Sequence, residues 1–307
     1  MSRIDHQGIC YSGYRVGQNP DAGVFPSPAQ IEEDLQILAR RWRRIRVYDS
    51  GPHAELVLAA IDRLGLDLEV LLGAWLGAEV NNPDCGWGAW YGDAELARNR
   101  RENDAEVRRC IDLARRYPSQ VTSLAVGNEA TVSWTGQLVP VARVIELVRV
   151  VKAAIDLPVT FCENHVPWVK DLGPLAAELD FLSVHSYPVW EHRSIDEALA
   201  VTDADWRRVS AANPGKEVVI TEAGWTTRSN GRGIEPHNAN AELQVRYYQE
   251  LTRWGQENGV LVYVFEAFDE PWKGSSDPDE PEKHWGLFTV DRTPKPAMRA
   301  LFADLNP

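Results

Sequence analysis

The sequence is poor in the residues that announce metal, redox or membrane chemistry. It has four cysteines, at positions 10, 85, 110 and 162, and none belongs to a Cys-x-x-Cys pair, which excludes zinc-ribbon and thiol-redox motifs. Cys10 and Cys162 sit in apolar, strand-like runs and read as small core residues; a Cys85–Cys110 bridge stays open. His165, His185 and His284 are dispersed and lack ligand spacing, so no metal site is expected. No apolar run reaches the ~20 residues of a membrane-spanning helix. The opening stretch Met1-Ser2-Arg3-Ile4-Asp5-His6-Gln7 has no apolar signal core. The chain as given is therefore expected to be soluble and without an export signal, although a catalytic domain trimmed from a larger membrane protein would read the same way. Basic residues are outnumbered 32 to 45, for a net charge of -13, which argues against nucleic acid or an anionic membrane as partner. No glycine-rich phosphate loop follows the first apolar run, which lowers the dinucleotide-binding reading. No low-complexity segment or interdomain linker is visible.

What is there is an eightfold alternation. Short apolar runs predict strands at Gly8–Tyr11, Arg44–Tyr48, Leu68–Leu72, Val121–Val126, Pro158–Cys162, Phe181–Val184, Val218–Thr221 and Val260–Phe265. Between them lie amphipathic stretches. Ser27-Pro28-Ala29-Gln30 is a capping-box start with proline at the first helical position, and Ile31, Leu35 and Leu38 continue it as an apolar stripe. Further helices are expected over roughly Ala54–Leu64, Asp93–Tyr117, the face carrying Val141, Val144, Ile145, Val148 and Val151, a short Trp168–Glu178, Ile195–Ala212, Ala241–Asn258 and a last one from Pro296 to Leu305. Alternating strands and helices argue for a parallel sheet. Eight repeats in 307 residues argue for a (β/α)8 TIM barrel, with residues 1–307 as one catalytic domain.

In such a barrel the strand C-termini share one face, and active sites form there. The residues at those ends are Tyr11, Tyr48 and Asp49, Trp75, Asn128 and Glu129, Glu163 and Asn164, His185 and Tyr187, Glu222 and Trp225, and Glu266 with Asp269, Glu270, Trp272 and Lys273. Two of these ends have the same form. Val218-Val219-Ile220-Thr221-Glu222 and Leu124-Ala125-Val126-Gly127-Asn128-Glu129 each run from apolar residues into a carboxylate. A carboxylate at the lip of a buried strand is costly to place there; a structural ion pair explains one, and paired catalytic acids explain two. The rim combines carboxylates, amides and aromatics, which suits the hydroxyls and C–H faces of a sugar. Of the twelve tryptophans, Trp75, Trp87, Trp90, Trp134, Trp225, Trp272 and Trp285 fall at loop starts, where sugar-stacking surfaces are expected. The acidic loop Gly274–Glu282 lacks the alternation of an EF-hand and reads as a solvated loop.

Gly127-Asn128-Glu129 and Thr221-Glu222-Ala223-Gly224-Trp225 resemble the retaining barrel glycosidases that carry a glutamate on each of strands four and seven. Phe265-Glu266-Ala267-Phe268-Asp269-Glu270-Pro271-Trp272-Lys273, with Glu282-Lys283-His284-Trp285-Gly286-Leu287-Phe288, resembles glycoside hydrolase family 17, the β-1,3-glucanases and β-1,3-glucanosyltransferases. Gly8-Ile9-Cys10-Tyr11, Arg46-Val47-Tyr48 and His185-Ser186-Tyr187-Pro188 extend the resemblance along the chain. Phe268-Asp269-Glu270-Pro271 stands where plant members read Phe-Asn-Glu-Asn, and the wording is nearer to fungal and bacterial members. The resemblance implies Glu222 as nucleophile and Glu129 as acid/base, with Asn128 on the sugar 2-hydroxyl and Tyr187 holding Glu222. Tyr11, Tyr48, Trp225, Trp272 and Trp285 become candidate stacking surfaces, Asp49 a rim contact, and Glu266, Glu270 and Lys273 a charged network that binds hydroxyls or supports the nucleophile. It further implies a β-1,3-glucan partner, no cofactor, transfer or hydrolysis as the outcome, and a periplasmic or extracellular site of action. Rival readings are a retaining barrel glycosidase for another β-glucan or mannan, and a non-catalytic glucan-binding barrel.

Overall fold

The computed structural model describes residues 6–86 and 90–306; the first five residues and Trp87 lie outside them. Eight strands, β1 (Gln7–Cys10), β2 (Arg44–Val47), β3 (Glu69–Ala74), β4 (Val121–Asn128), β5 (Val159–Asn164), β6 (Phe181–His185), β7 (Glu217–Ala223) and β8 (Val262–Val264), pair in parallel in chain order. β8 returns to pair with β1, so the sheet closes and no edge is left unpaired. β-Branched residues dominate where both faces are covered: Val218, Val219 and Ile220 of β7 are all buried. Cys10, Leu71, Ala125, Cys162, Val219 and Tyr263 form one cluster of the core.

The helices pack outside. In α1 (Pro28–Leu38) the Ser27 hydroxyl accepts from the Gln30 amide while the Gln30 side chain accepts from the Ser27 amide. α2 (Pro52–Leu64), α3 (Asp93–Arg116) and α4 (Val141–Ala154) follow, and α7 (Ile195–Ala212) and α8 (Ala241–Asn258) have the expected limits. Two helical expectations are corrected. The stretch expected as one short helix is two, α5 (His165–Lys170) and α6 (Gly173–Glu178). Leu172 is buried between them, and Pro174, in the first turn of α6, has no N–H with which to continue α5. The final helix α9 covers only Pro296–Arg299, before a 3-10 turn at Ala303–Leu305. Phe302 leaves helical geometry (φ -130°, ψ 50°) and packs its ring against Trp42 and Phe288 at 6.3 and 5.0 Å.

All four cysteines are buried and free, so Cys85 and Cys110 are not bridged. Among the described residues no helix is long and apolar enough to cross a membrane.

Candidate active site

The strands deliver the key side chains through local irregularities. The β4–β5 register shifts between Ala125 and Asn128, as strands do beside sites where a side chain must be re-aimed. Gly127 has φ +102°, and a Cβ there would stand 2.7 Å from the Phe161 ring. Glu129 itself has φ 43°, the left-handed region that non-glycine residues seldom occupy. The β7–β8 register shifts similarly between Ile220 and Ala223. Beyond β7 a Cβ on Gly224 would lie 2.0 Å from the Phe265 carbonyl oxygen, so only glycine lets the chain pass there.

At the barrel mouth His185 links the two carboxylates. Its Nδ1 is 2.9 Å from Glu129 Oε1 and 3.5 Å from Glu222 Oε2. Those two oxygens are thus closer than the sum of the distances, which is compatible with the ~5 Å separation of a retaining pair. Arg46 Nη1 lies 3.2 Å from His185 Nε2, and Nδ1 turns toward the acids; burial lowers the imidazole pKa, but the Glu222 and Glu129 carboxylates outweigh burial and raise it to about 10, so the ring stands beside them charged.

The two acids have different surroundings. Glu222 is buried, with a side chain 7% exposed, whereas that of Glu129 is 30% exposed. Arg46 Nη1 donates to Glu222 Oε1 at 2.7 Å, Tyr48 Oη to the same oxygen at 3.0 Å, and Tyr187 Oη to Oε2 at 2.5 Å. Burial alone would raise the Glu222 pKa. The positive surroundings of His185 and Arg46, with the Tyr187 and Tyr48 donors, outweigh it and hold the carboxyl below the ordinary glutamate value. Arg46 Nη2 also donates to Asn128 Oδ1 at 2.5 Å, so one buried guanidinium orients both the Glu222 carboxylate and the neighbouring amide. The arrangement supplies an ionised carboxylate held in a fixed direction beside a more exposed carboxyl.

The other predicted residues divide. Tyr48, Asn128 and Tyr187 join the two glutamates in this network. Trp272 is half-buried, and its Nε1 donates to Glu270 Oε2 at 3.3 Å. Asp49 is at the rim, its Oδ1 accepting from the Gly51 amide at the start of α2. Three expected stacking surfaces are corrected because their rings are covered. Tyr11 is fully buried and donates to Asp34. Trp225 is 1% exposed and bonds the Asn238 carbonyl. Trp285 is 1% exposed, edge-on to Tyr187 and Phe265. Glu266 and Glu270 are likewise closed to substrate: both are buried and share Lys273, at 2.6 and 2.9 Å. Glu270 also accepts from Ser12 Oγ and the Tyr14 amide. These groups form an ion-paired floor under the β8 side of the mouth.

Sequence reasoning passed over four residues. Arg46 stands in the sequence as part of a motif, yet a charge between Ile45 and Val47 in a barrel strand must point inward and needs a partner there. His185, at the end of β6, is in the sequence only a rim position. Glu163, on β5, is buried and accepts from the Thr131 amide and hydroxyl; burial, reinforced by the Glu129 charge, raises its carboxyl to about 7. Glu282 is also raised to about 7, by burial and the Glu129 and Glu222 charges against the pull of Lys273, so it lies within electrostatic reach of both acids. One group of metal-capable side chains occurs among the described residues, His165, Glu191 and Asp205. Its imidazole turns Nδ1 to Asp205 (3.5 Å) and Nε2 to Glu191 (3.8 Å), the pose of a ring between two acids; one ion would use a single nitrogen.

A closed parallel barrel that gathers two carboxylates and their donors at the ends of β4 and β7 is a glycoside hydrolase architecture. The chain belongs to the BtgE/BtgC glycoside hydrolase domain family, whose profile matches residues 8–286. It is similar to a putative glucan endo-1,3-beta-glucosidase of Aspergillus niger, 28% identical over 95% of this chain and 43% of the relative. The chain thus spans less than half the length of that relative. Among solved structures it resembles an endo-laminarinase from Formosa Hel1_33_131 (TM-score 0.84, 26% identity, 97% of this chain and 86% of that one). It also resembles a glycoside hydrolase family 17 beta-1,3-glucanosyltransferase from Rhizomucor miehei (TM-score 0.71, 26% identity, 94% and 95% covered).

Proposed function

We propose that the chain is a retaining β-1,3-glucan-active enzyme that works by double displacement, with Glu222 as nucleophile and Glu129 as acid/base. The observation that carries the reading is the pair of carboxylates on one imidazole nitrogen, at 2.9 and 3.5 Å, in surroundings that ionise Glu222. In the first step a Glu222 oxygen attacks the anomeric carbon as its bond to the leaving oxygen breaks, and Glu129 protonates that oxygen. The product is a glycosyl ester on Glu222 and a free chain end. Esterification removes the Glu222 charge, and the now ionised Glu129 takes a proton from the incoming hydroxyl as it attacks the anomeric carbon and releases Glu222. Water as that hydroxyl gives hydrolysis, and a second sugar gives transfer. Asn128, oriented by Arg46, is suited to the 2-hydroxyl of the reacting sugar, where hydrogen bonding strengthens as the transition state forms. The β-1,3-glucan assignment draws on the names of the relatives and structural neighbours, and a wall or extracellular polymer as substrate places the site of action outside the cytoplasm.

The test is a time course on laminari-oligosaccharides read by mass spectrometry with linkage analysis, comparing the parent with Glu222→Ala. Cleavage by the parent, with turnover lost and oligosaccharide binding kept in the variant, is the expected result. Products longer than the donor assign transfer, and only shorter ones assign hydrolysis. Turnover that survives in the variant removes Glu222 from its role, and an inert parent removes the substrate.

A further inference from the structure

Among the described residues the strongly exposed aromatic side chains are three tryptophans, Trp75 (40%), Trp90 (71%) and Trp134 (39%), and all lie on the loops after β3 and β4. An indole left 39–71% exposed forgoes part of the burial that stabilises such a ring elsewhere, so three on adjacent loops, beside the proposed catalytic mouth, call for an occupant.

The backbone around each indole is pinned. The Trp75 amide donates to Glu106 Oε1 at 3.2 Å, and the same oxygen holds the Ser50 amide. Asn81 exchanges two hydrogen bonds with Tyr91, the residue after Trp90: Tyr91 N donates to Asn81 Oδ1 at 2.7 Å and Asn81 Nδ2 to the Tyr91 carbonyl at 2.9 Å. The next residue, Asn82, donates from Nδ2 to the carbonyls of Ser133 (2.9 Å) and Thr135 (2.8 Å), one on each side of Trp134. Two of the exposed indoles are therefore anchored through consecutive asparagines. Gln137 Nε2 donates to the Asn128 carbonyl at 2.7 Å, which ties the Trp134 loop to the strand end that carries Asn128. Glu79, in the same β3–α3 loop, is buried and paired with Arg143 and Arg100, so its charge is neutralised where it lies. Prearranged aromatic faces with satisfied charges and amides suit the C–H faces of a neutral sugar chain rather than an ionic ligand.

We infer that Trp75, Trp90 and Trp134 form a stacking track for an extended β-glucan chain, binding glucose units beyond those at the carboxylates. The inference rests on the proposed function for its ligand class. The track sets the preference for long chains; the mouth sets the bond that is broken.

The experiment uses native gels cast with and without laminarin, which read binding without turnover. Glu222→Gln is the parent, carrying in turn Trp90→Ala, Trp134→Ala, Trp134→Phe and both alanines, with Val150→Ala on the outer helix α4 as a surface control. Retardation of the parent, weakened about two- to tenfold in dissociation constant per indole removed and restored in part by Trp134→Phe, supports the track. The active counterparts of these variants should lose more kcat/KM on long laminarin chains than on the shortest cleaved oligosaccharide. Trp90→Ala at 71% exposure keeps the test valid if Trp134→Ala fails to fold. Undiminished retardation of the double variant overturns the track and leaves the proposed function standing. A parent that neither binds nor, as active enzyme, cleaves laminarin overturns both.

Discussion

Replacing Tyr187 with phenylalanine isolates one contribution to the state of the nucleophile. The hydroxyl donates to Glu222 Oε2 at 2.5 Å, a bond available only while that oxygen is an acceptor. The ring remains packed edge-on against Phe265 and Trp285 at 5.7 and 5.2 Å, so the cavity is little changed. Arg46 and Tyr48 still serve Oε1, but Oε2 keeps only His185 at 3.5 Å. A hydrogen bond to a charged group contributes about 1.5–3 kcal/mol, and one pKa unit corresponds to about 1.4 kcal/mol. Losing the donor therefore raises the Glu222 pKa by about one to two units. The sign follows from which form is stabilised: the donor favours the ionised carboxylate, so without it the group protonates at higher pH. In Tyr187→Phe the acid limb of kcat/KM on a laminari-oligosaccharide should move up by that amount, with the deficit greatest at acidic pH and shrinking toward neutrality. Thermal melts at each pH separate this from unfolding. A uniform drop in rate with the acid limb unmoved would refute the reasoning, because it would mean that Tyr187 does not govern the ionisation of Glu222.

Two further outcomes are expected from the same geometry. Lys273→Met removes the cation shared by Glu266 and Glu270 and should destabilise the fold by about 3–5 kcal/mol at neutral pH. Glu266, which burial already raises, would then be raised further, so the penalty should narrow as pH falls and that carboxyl protonates; denaturant unfolding at several pH values that shows a constant gap would count against an uncompensated charge. Gly127→Ala puts a Cβ at φ +102° and 2.7 Å from Phe161. It should cost about 1–3 kcal/mol in backbone strain alone, lower the Tm and reduce kcat, since it displaces the turn that carries Asn128 and Glu129; a variant with unaltered Tm and kcat would show that the turn tolerates it.

The barrel was legible because its signals are local and repeated. Each strand is a short apolar run with turn chemistry at its ends, and Ser27, Pro28 and Gln30 specify the start of α1 through contacts three residues apart. The failures are tertiary. A helix with its last turn opened so that Phe302 can dock on Trp42 has the same local pattern as one that continues. Glu129 and Glu222 stood out because a carboxylate at the end of a buried strand is an anomaly of composition. Tyr11 and Trp225 could not be separated from the exposed tryptophans because a residue just past a strand can turn toward the mouth or into the packing beneath it, and Trp285, in the long loop after β8, carries no local sign of the packing that covers it. Arg46 shares β2 with Arg44, and His185 shares β6 with Ser183, so polarity alone does not single them out; their roles appear when Arg46, Asn128, His185 and Glu222, from four strands, meet.

That meeting has an evolutionary corollary. Arg46, Asn128, His185 and Glu222 all stand on β-strands or immediately at their ends, locked by the ring of parallel pairing, while the tryptophan track hangs on the loops that follow β3 and β4. On the proposed reading, the bond broken and the preferred chain length are thus encoded in separable parts of the chain. Insertions or substitutions in the β3–α3 loop would then change how long a chain is held while the strand-borne residues keep their alignment, so the fold could vary its reach without first surrendering its chemistry.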